Sequence, residues 1–199
     1  MKKYVIYAGV NGAGKSTLYN TNAIYNIPRV NSDEILREFG NWKNAADMMK
    51  ASKIAVQKIN EYMSKGVSFN QETTLCGHAI LKNIERAKKM GYVVEMFYVG
   101  LDSAEIAKER IRQRVKNGGH GIPDEDVERR YTESLQNLLK VIQTCDLVSV
   151  YDNTDVIRRF AIYKNGQLCV LSRNVPDWFR ETKNKFDINP DINARQTTE

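Results

Sequence analysis

The chain has 199 residues, 42% hydrophobic and 27% charged, a balance that fits one soluble domain with a packed core. No apolar run nears the roughly 20 residues a membrane span needs. Three scattered cysteines, Cys76, Cys145 and Cys169, exclude a disulfide framework and a zinc CxxC pair. The net charge of +6 comes from the first half of the chain and suits anionic partners without choosing among them.

In chain order, Tyr4–Ala8 is a short apolar run rich in β-formers. The basic Met1-Lys2-Lys3 start superficially resembles a signal peptide, but Asn11 to Lys15 interrupt the apolar stretch too early, so a cytoplasmic protein is expected. A helix opens at Gly14–Asn20, a brief strand lies at Ile27–Val30, and a short helix begins near Glu34. Helical spacing of Ala45, Met48, Met49, Ser52, Ala55, Val56, Ile59 and Met63 predicts a longer helix ended by Gly66. Val67–Asn70 reads as a strand, 79–90 as a helix stopped by Gly91, and Tyr92–Val99 as the strongest strand of the chain.

A cationic helix then runs from Asp102 to about Lys116, and Asn117–Pro123 is a Gly-rich break. Pro123 suits a helix start, and Val127, Tyr131, Leu135, Leu138 and Ile142 mark the buried face of the next helix. Leu147–Tyr151 is a strand, and Arg158–Tyr163 and Gln167–Ser172 flank an Asn165-Gly166 hairpin signal. Alternating strands and helices imply a three-layer α/β fold with a mostly parallel sheet, a lid segment and a C-terminal β-hairpin. Residues 1–182 are expected to form one domain and 183–199 a polar tail.

Gly9-Val10-Asn11-Gly12-Ala13-Gly14-Lys15-Ser16, with Thr17 next in the chain, satisfies G-x-x-x-x-G-K-[ST] between an apolar strand and a helix. The glycines let backbone N–H groups curl around phosphate oxygens, and the helix adds its positive N-terminal end. Lys15 would reach the β- and γ-phosphates of a nucleotide, and the Ser16 hydroxyl would ligate Mg²⁺. No LSGGQ-like ATPase signature is present. Asn184-Lys185-Phe186-Asp187 matches N-K-x-D in letters only, because a polar run rather than an apolar strand precedes it. Small kinases and their relatives remain.

In a doubly wound sheet, ligands gather at the carboxyl ends of the strands. Asp33, in Asn31-Ser32-Asp33-Glu34, stands where it could accept the proton of an acceptor hydroxyl. Asn31 and Glu34 have capping-box-like spacing, which leaves Asp33 without a needed capping role. Glu72 in Gln71-Glu72-Thr73-Thr74 could organise Mg²⁺ through water or hold the acceptor together with the threonine hydroxyls. The competing reading is that Thr73 or Thr74 caps the next helix. Lys108, Arg110, Arg112, Arg114 and Lys116 lead into the Gly-rich break, where a closing lid would bring arginine over the γ-phosphate. Arg129, Arg130 and His120 are further lid candidates. For Asp102, helix capping by it or by Ser103 outranks a Walker-B role.

Val-Asn-Gly-Ala-Gly-Lys-Ser-Thr, Asn-Ser-Asp-Glu-Ile, Gln-Glu-Thr-Thr-Leu and Arg-Val-Lys-Asn-Gly-Gly-His-Gly-Ile-Pro with Arg-Arg-Tyr after it together resemble the zeta-toxin family of P-loop kinases, closest to its compact members. The likeness covers roughly residues 4–150. It implies ATP- or GTP-dependent phosphorylation of a sugar hydroxyl, with UDP-N-acetylglucosamine as the acceptor of the better-understood members. On this resemblance Lys15 binds phosphate, Asp33 matches the catalytic base, Glu72 the acidic residue after the third strand, and Arg114 a lid arginine. A second lid arginine of the larger toxins falls near His120, a departure for which Arg129 or Arg130 could substitute. The resemblance also suggests a small antitoxin covering the ATP site. Two other readings stay open: a kinase of a nucleoside, metabolite or nucleic-acid end, and a binding module switched by ATP turnover. The nucleic-acid version ranks low, because no aromatic–basic platform for single strands is present.

Overall fold

A computed structural model describes residues 1–21 and 26–186. The strands are β1 (Lys3–Ala8), β2 (Arg29–Val30), β3 (Phe69–Thr73), β4 (Val93–Gly100), β5 (Leu147–Asp152), β6 (Arg158–Lys164) and β7 (Gln167–Leu171). The helices are α1 (Lys15–Thr21), α2 (Ser32–Phe39), α3 (Ala45–Lys65), α4 (His78–Lys89), α5 (Ala104–Lys116), α6 (Asp124–Thr144) and α7 (Asp177–Phe186). The sheet order is β2-β3-β1-β4-β5-β6-β7. β1 to β5 run parallel and β6 and β7 return antiparallel, the expected mostly parallel three-layer fold.

Alternation along β1 builds both halves of the core. Tyr4, Ile6 and Ala8 join α2, α3, α4, α6 and α7 on one face. Val5 and Tyr7 join Leu18 of α1 and Ala107 and Ile111 of α5 on the other. The connection from β1 runs to β2 on one side, whereas the connection from β3 crosses β1 to β4 on the other, so the carboxyl end of β1 is the switch point where such sheets bind ligands. The hairpin between β6 and β7 turns on Asn165 and Gly166, both at positive φ, as the Asn-Gly signal predicts.

Two expectations shift. β3 begins at Phe69 rather than Val67 and continues through Gln71, Glu72 and Thr73, which pair with Ile6, Tyr7 and Ala8 of the central strand. The sequence pattern does not predict α7. This helix extends past Lys183, where the polar tail is expected to begin; residues 187–199 and Asp187 of the N-K-x-D letters lie outside the described residues. The expected capping of α5 by Asp102 or Ser103 falls to Ser103, its hydroxyl accepting from the Ile106 N–H at 3.4 Å.

α7 is anchored by Trp178, whose Nε1 donates to Asp152 Oδ1 at 3.1 Å and whose ring packs edge-on to Phe160 and Phe179. The indole lies directly on Gly100: a Cβ there would sit 2.2 Å from the ring. With the indole hydrogen-bonded and enclosed, Gly100→Ala overpacks the site and is expected to cost about 1–3 kcal/mol. A lowered urea midpoint at unchanged m-value would show it; an unchanged midpoint would mean that Trp178 can move.

Candidate active site

The strand–loop–helix of the P-loop brings the phosphate-binding groups together at the end of β1. The loop passes so near β4 that a Cβ on Gly9, at φ +138°, would lie 2.2 Å from the Val99 carbonyl oxygen. Only glycine can hold that approach and that dihedral together. The first N–H groups of α1 have no acceptor within the helix and are left for a ligand. Lys15 is only 6% exposed, its Nζ donating to the Val10 carbonyl at 3.0 Å. Burial pushes its pKa down, and the nearby Glu72 and Asp33 carboxylates partly restore it. Ser16 Oγ donates to Glu72 Oε2 at 2.9 Å, and Lys15 Nζ stands 4.0 Å from Glu72 Oε1. Asn11 accepts from Arg130 Nη1 at 3.0 Å, tying the loop to α6. Asn153, just past β5, donates to the Ala13 carbonyl at 2.8 Å from the other side.

Facing the loop is a cleft of about 1040 Å³, lined by Asn11, Lys15, Asp33, Glu72, Thr73, Thr74, His120 and Arg130 among others. Asn31 caps α2, its Oδ1 accepting from the Asp33 N–H at 2.9 Å. Asp33 is therefore free of that duty, and its carboxylate makes no hydrogen bond or ion pair among the described residues. Thr73 Oγ1 accepts from the Leu75 N–H at 3.1 Å and so shapes the loop after β3. Neither threonine caps α4, whose N-cap is Gly77 with no side-chain bond. Thr17 and Ser16 are exposed on α1, outside the cleft proper.

The cationic helix divides its labour. Lys108 pairs with Glu105 and Glu128, and Arg112 with Asp124 at 2.5 Å, clamping α5 to α6. Arg110 donates to the Thr154 carbonyl at 2.9 Å, and Arg129 is held by Asp126 and Glu133. Arg114 differs. Its Nε and Nη2 are buried with no hydrogen-bond partner among the described residues. Burial lowers its pKa, while Asp33 and Glu72 raise it. A buried guanidinium left so is costly, and an anionic ligand is the natural explanation. Cys76 also lines the cleft, and burial pushes its thiol up, away from the reactive thiolate form.

His120 stands 5.6 Å from the Trp42 ring, and burial pushes it below its ordinary 6.5, with Asp33 opposing and Arg114 adding. A folded value below the unfolded one means the unfolded chain binds the proton first as pH falls through 6.5. Stability is then lost from 6.5 down to the folded value. His120→Gln is expected to shrink the fall in urea midpoint between about pH 7.5 and about pH 5.5. An equal fall in both proteins would refute the burial.

The structure thus brings Lys15, Asp33, Glu72, Thr73, Thr74, His120 and Arg130 to one cleft at the carboxyl edge of the sheet. Trp42 lines the same cleft, while Arg29 and Asn153 reach the site only through Glu72 and the Ala13 carbonyl. Asn153 is legible by its place just after a strand, whereas nothing local marks Arg29. A phosphate loop at the switch point, facing a carboxylate with no partner among the described residues and near an arginine whose buried Nε and Nη2 have none among them, is the arrangement of a P-loop phosphotransferase. The family model described as zeta toxin matches residues 1–166, and the chain belongs to that family.

An uncharacterized protein of Haemophilus influenzae is 33% identical over 131 residues, 65% of this chain and 92% of that protein. A crystal structure of the AvrRxo1-ORF1:AvrRxo1-ORF2 complex with sulphate ions superposes with TM-score 0.69 at 16% identity, over 94% of this chain and 63% of that one. The chain therefore spans less than two thirds of the AvrRxo1 chain it matches. The PezAT chromosomal toxin–antitoxin system of Streptococcus pneumoniae gives TM-score 0.59 at 15% identity, over 100% of this chain and 88% of that one.

Proposed function

We propose that this protein transfers the γ-phosphate of ATP, or GTP, to a hydroxyl of a small acceptor bound in the cleft, and that the acceptor is UDP-N-acetylglucosamine or a related sugar nucleotide. The single observation that carries the transfer reading is the Asp33 carboxylate, without a partner among the described residues, in the same cleft as Lys15. Asp33 takes the acceptor proton as the oxygen attacks the γ-phosphorus and the bond to the β-phosphate oxygen breaks. Lys15 and the first-turn N–H groups hold the triphosphate, and Arg114 takes charge that spreads onto the γ-oxygens. Asn11, Gly12, Ala13, Gly14 and Thr17 complete the nucleotide-binding loop, and Thr73 and Thr74 border the acceptor.

The oxygen donors Ser16 Oγ and Glu72, side by side at 2.9 Å, are the hard set that Mg²⁺ prefers. When bound, Mg²⁺ neutralises charge on the β- and γ-phosphates. His120 and Arg130 border the γ-phosphate position from the lid side. The solved structure described as the PezAT toxin–antitoxin system supports a toxin role with an antitoxin partner, and we place that action in the cytoplasm.

The test is γ-labelled ATP with Mg²⁺ and UDP-N-acetylglucosamine. Label in the sugar nucleotide establishes the acceptor class. Label in other hydroxyl acceptors alone removes the sugar-nucleotide reading, and label in water alone favours a nucleotide-switched binding module.

A further inference from the structure

Arg29 occupies one of the two residues of β2, the sheet's outermost parallel strand, yet its side chain is only 11% exposed. One guanidinium links β2 to three other elements. Nη2 donates to Glu72 Oε2 at 2.5 Å and Nη1 to Asn70 Oδ1 at 3.2 Å, both on β3. Nε donates to Glu34 Oε1 at 3.0 Å, on the residue after Asp33 in α2. Its flat face lies 3.8 Å from the centre of the Tyr19 ring on α1, the helix that carries Lys15 and Ser16.

Glu72 stands between two cations. Arg29 holds Oε2, while Oε1 is 4.0 Å from Lys15 Nζ. Without Arg29 the carboxylate would gain most by closing that gap. It would then neutralise the lysine that has to meet the triphosphate and draw Oε2 away from Ser16, which now donates to both carboxylate oxygens, at 2.9 Å and 3.2 Å. We infer that Arg29 is a positioning residue that holds Glu72 beside Ser16 and off Lys15, so that one site accepts both the metal and the phosphates. The inference rests on the proposed roles of Lys15, Ser16 and Glu72. Its fork geometry is essential, because a lysine offers one point charge where the guanidinium reaches two carboxylates and an amide at once.

The test reads binding of a fluorescent non-hydrolysable ATP analogue, with Mg²⁺ or with EDTA, alongside melting curves that report folding. Arg29→Met is expected to weaken Mg²⁺-supported binding about 10- to 100-fold, the usual effect of losing a group that orients a metal-side ligand. Binding in EDTA also weakens, because Glu72 now pairs with Lys15. Adding Glu72→Gln to Arg29→Met restores the EDTA affinity, since a neutral amide cannot neutralise the lysine. A merely structural role would give no such rescue. Arg29→Lys falls between wild type and Arg29→Met, and it carries the comparison if the methionine variant does not fold.

Wild-type affinities in Arg29→Met or Arg29→Lys under both conditions would overturn the inference. So would a double variant as weak in EDTA as Arg29→Met. Because the readout is binding alone, failure of wild type to phosphorylate any acceptor would remove the kinase reading without touching this comparison.

Discussion

Asp33→Asn is expected to lower the rate of phosphate transfer by about 10²- to 10⁴-fold, the range for loss of a general base, while nucleotide affinity stays unchanged. Asparagine keeps the size of the side chain and removes its charge and its ability to take a proton. The structure supports a clean result. Asn31, not Asp33, caps α2, so the substitution leaves the helix start intact. The loss of a carboxylate from the first turn costs about 0.3–1 kcal/mol through the helix dipole. Single-turnover rates with saturating ATP and acceptor separate the chemical step from binding. A variant that transfers at the wild-type rate would sink the assignment of Asp33 as base, whatever its affinity.

Arg114→Met is expected to cost about 10³- to 10⁵-fold in transfer rate, the effect of removing an arginine that meets charge in a phosphoryl transition state. Stability should move the other way or not at all. The Nε and Nη2 atoms of Arg114 are buried without partners among the described residues, so an apolar side chain of similar length removes an unmet demand. Loss of activity with retained or raised melting temperature is the pattern of a site built for function at the expense of stability. A melting temperature several degrees lower, with activity falling only in proportion to folded protein, would make Arg114 a structural residue.

Much of this architecture is legible in the residues themselves, and the limits have physical causes. The P-loop, the two long helices and the Asn-Gly hairpin carry local signals: glycines at fixed offsets, apolar residues at helical spacing, a turn that needs positive φ. Asp33 is legible because a neighbouring Asn relieves it of capping. β3 starts and ends later than its apolar pattern implies, because Gln71, Glu72 and Thr73 are polar yet pair with the central strand; site chemistry overrides strand propensity there. α7 carries a weak local pattern, and its place comes from Trp178 and Phe179 packing on Phe160 and from the hydrogen bond to Asp152. Arg29 is illegible because its partners Asn70 and Glu72 lie 41 and 43 residues away. The cationic run looks uniform in sequence, and only packing separates Lys108 and Arg112, which clamp α5 to α6, from Arg114, whose buried nitrogens have no partner among the described residues.

The most direct measurement of the central claim is the fate of the γ-phosphate from labelled ATP. It would be traced by mass spectrometry in wild type and Asp33→Asn across sugar nucleotides, nucleosides and oligonucleotides. A phosphorylated hydroxyl acceptor is expected in the wild-type reaction, and almost none with Asp33→Asn. Inorganic phosphate as the sole labelled product, formed equally by both proteins, would contradict it.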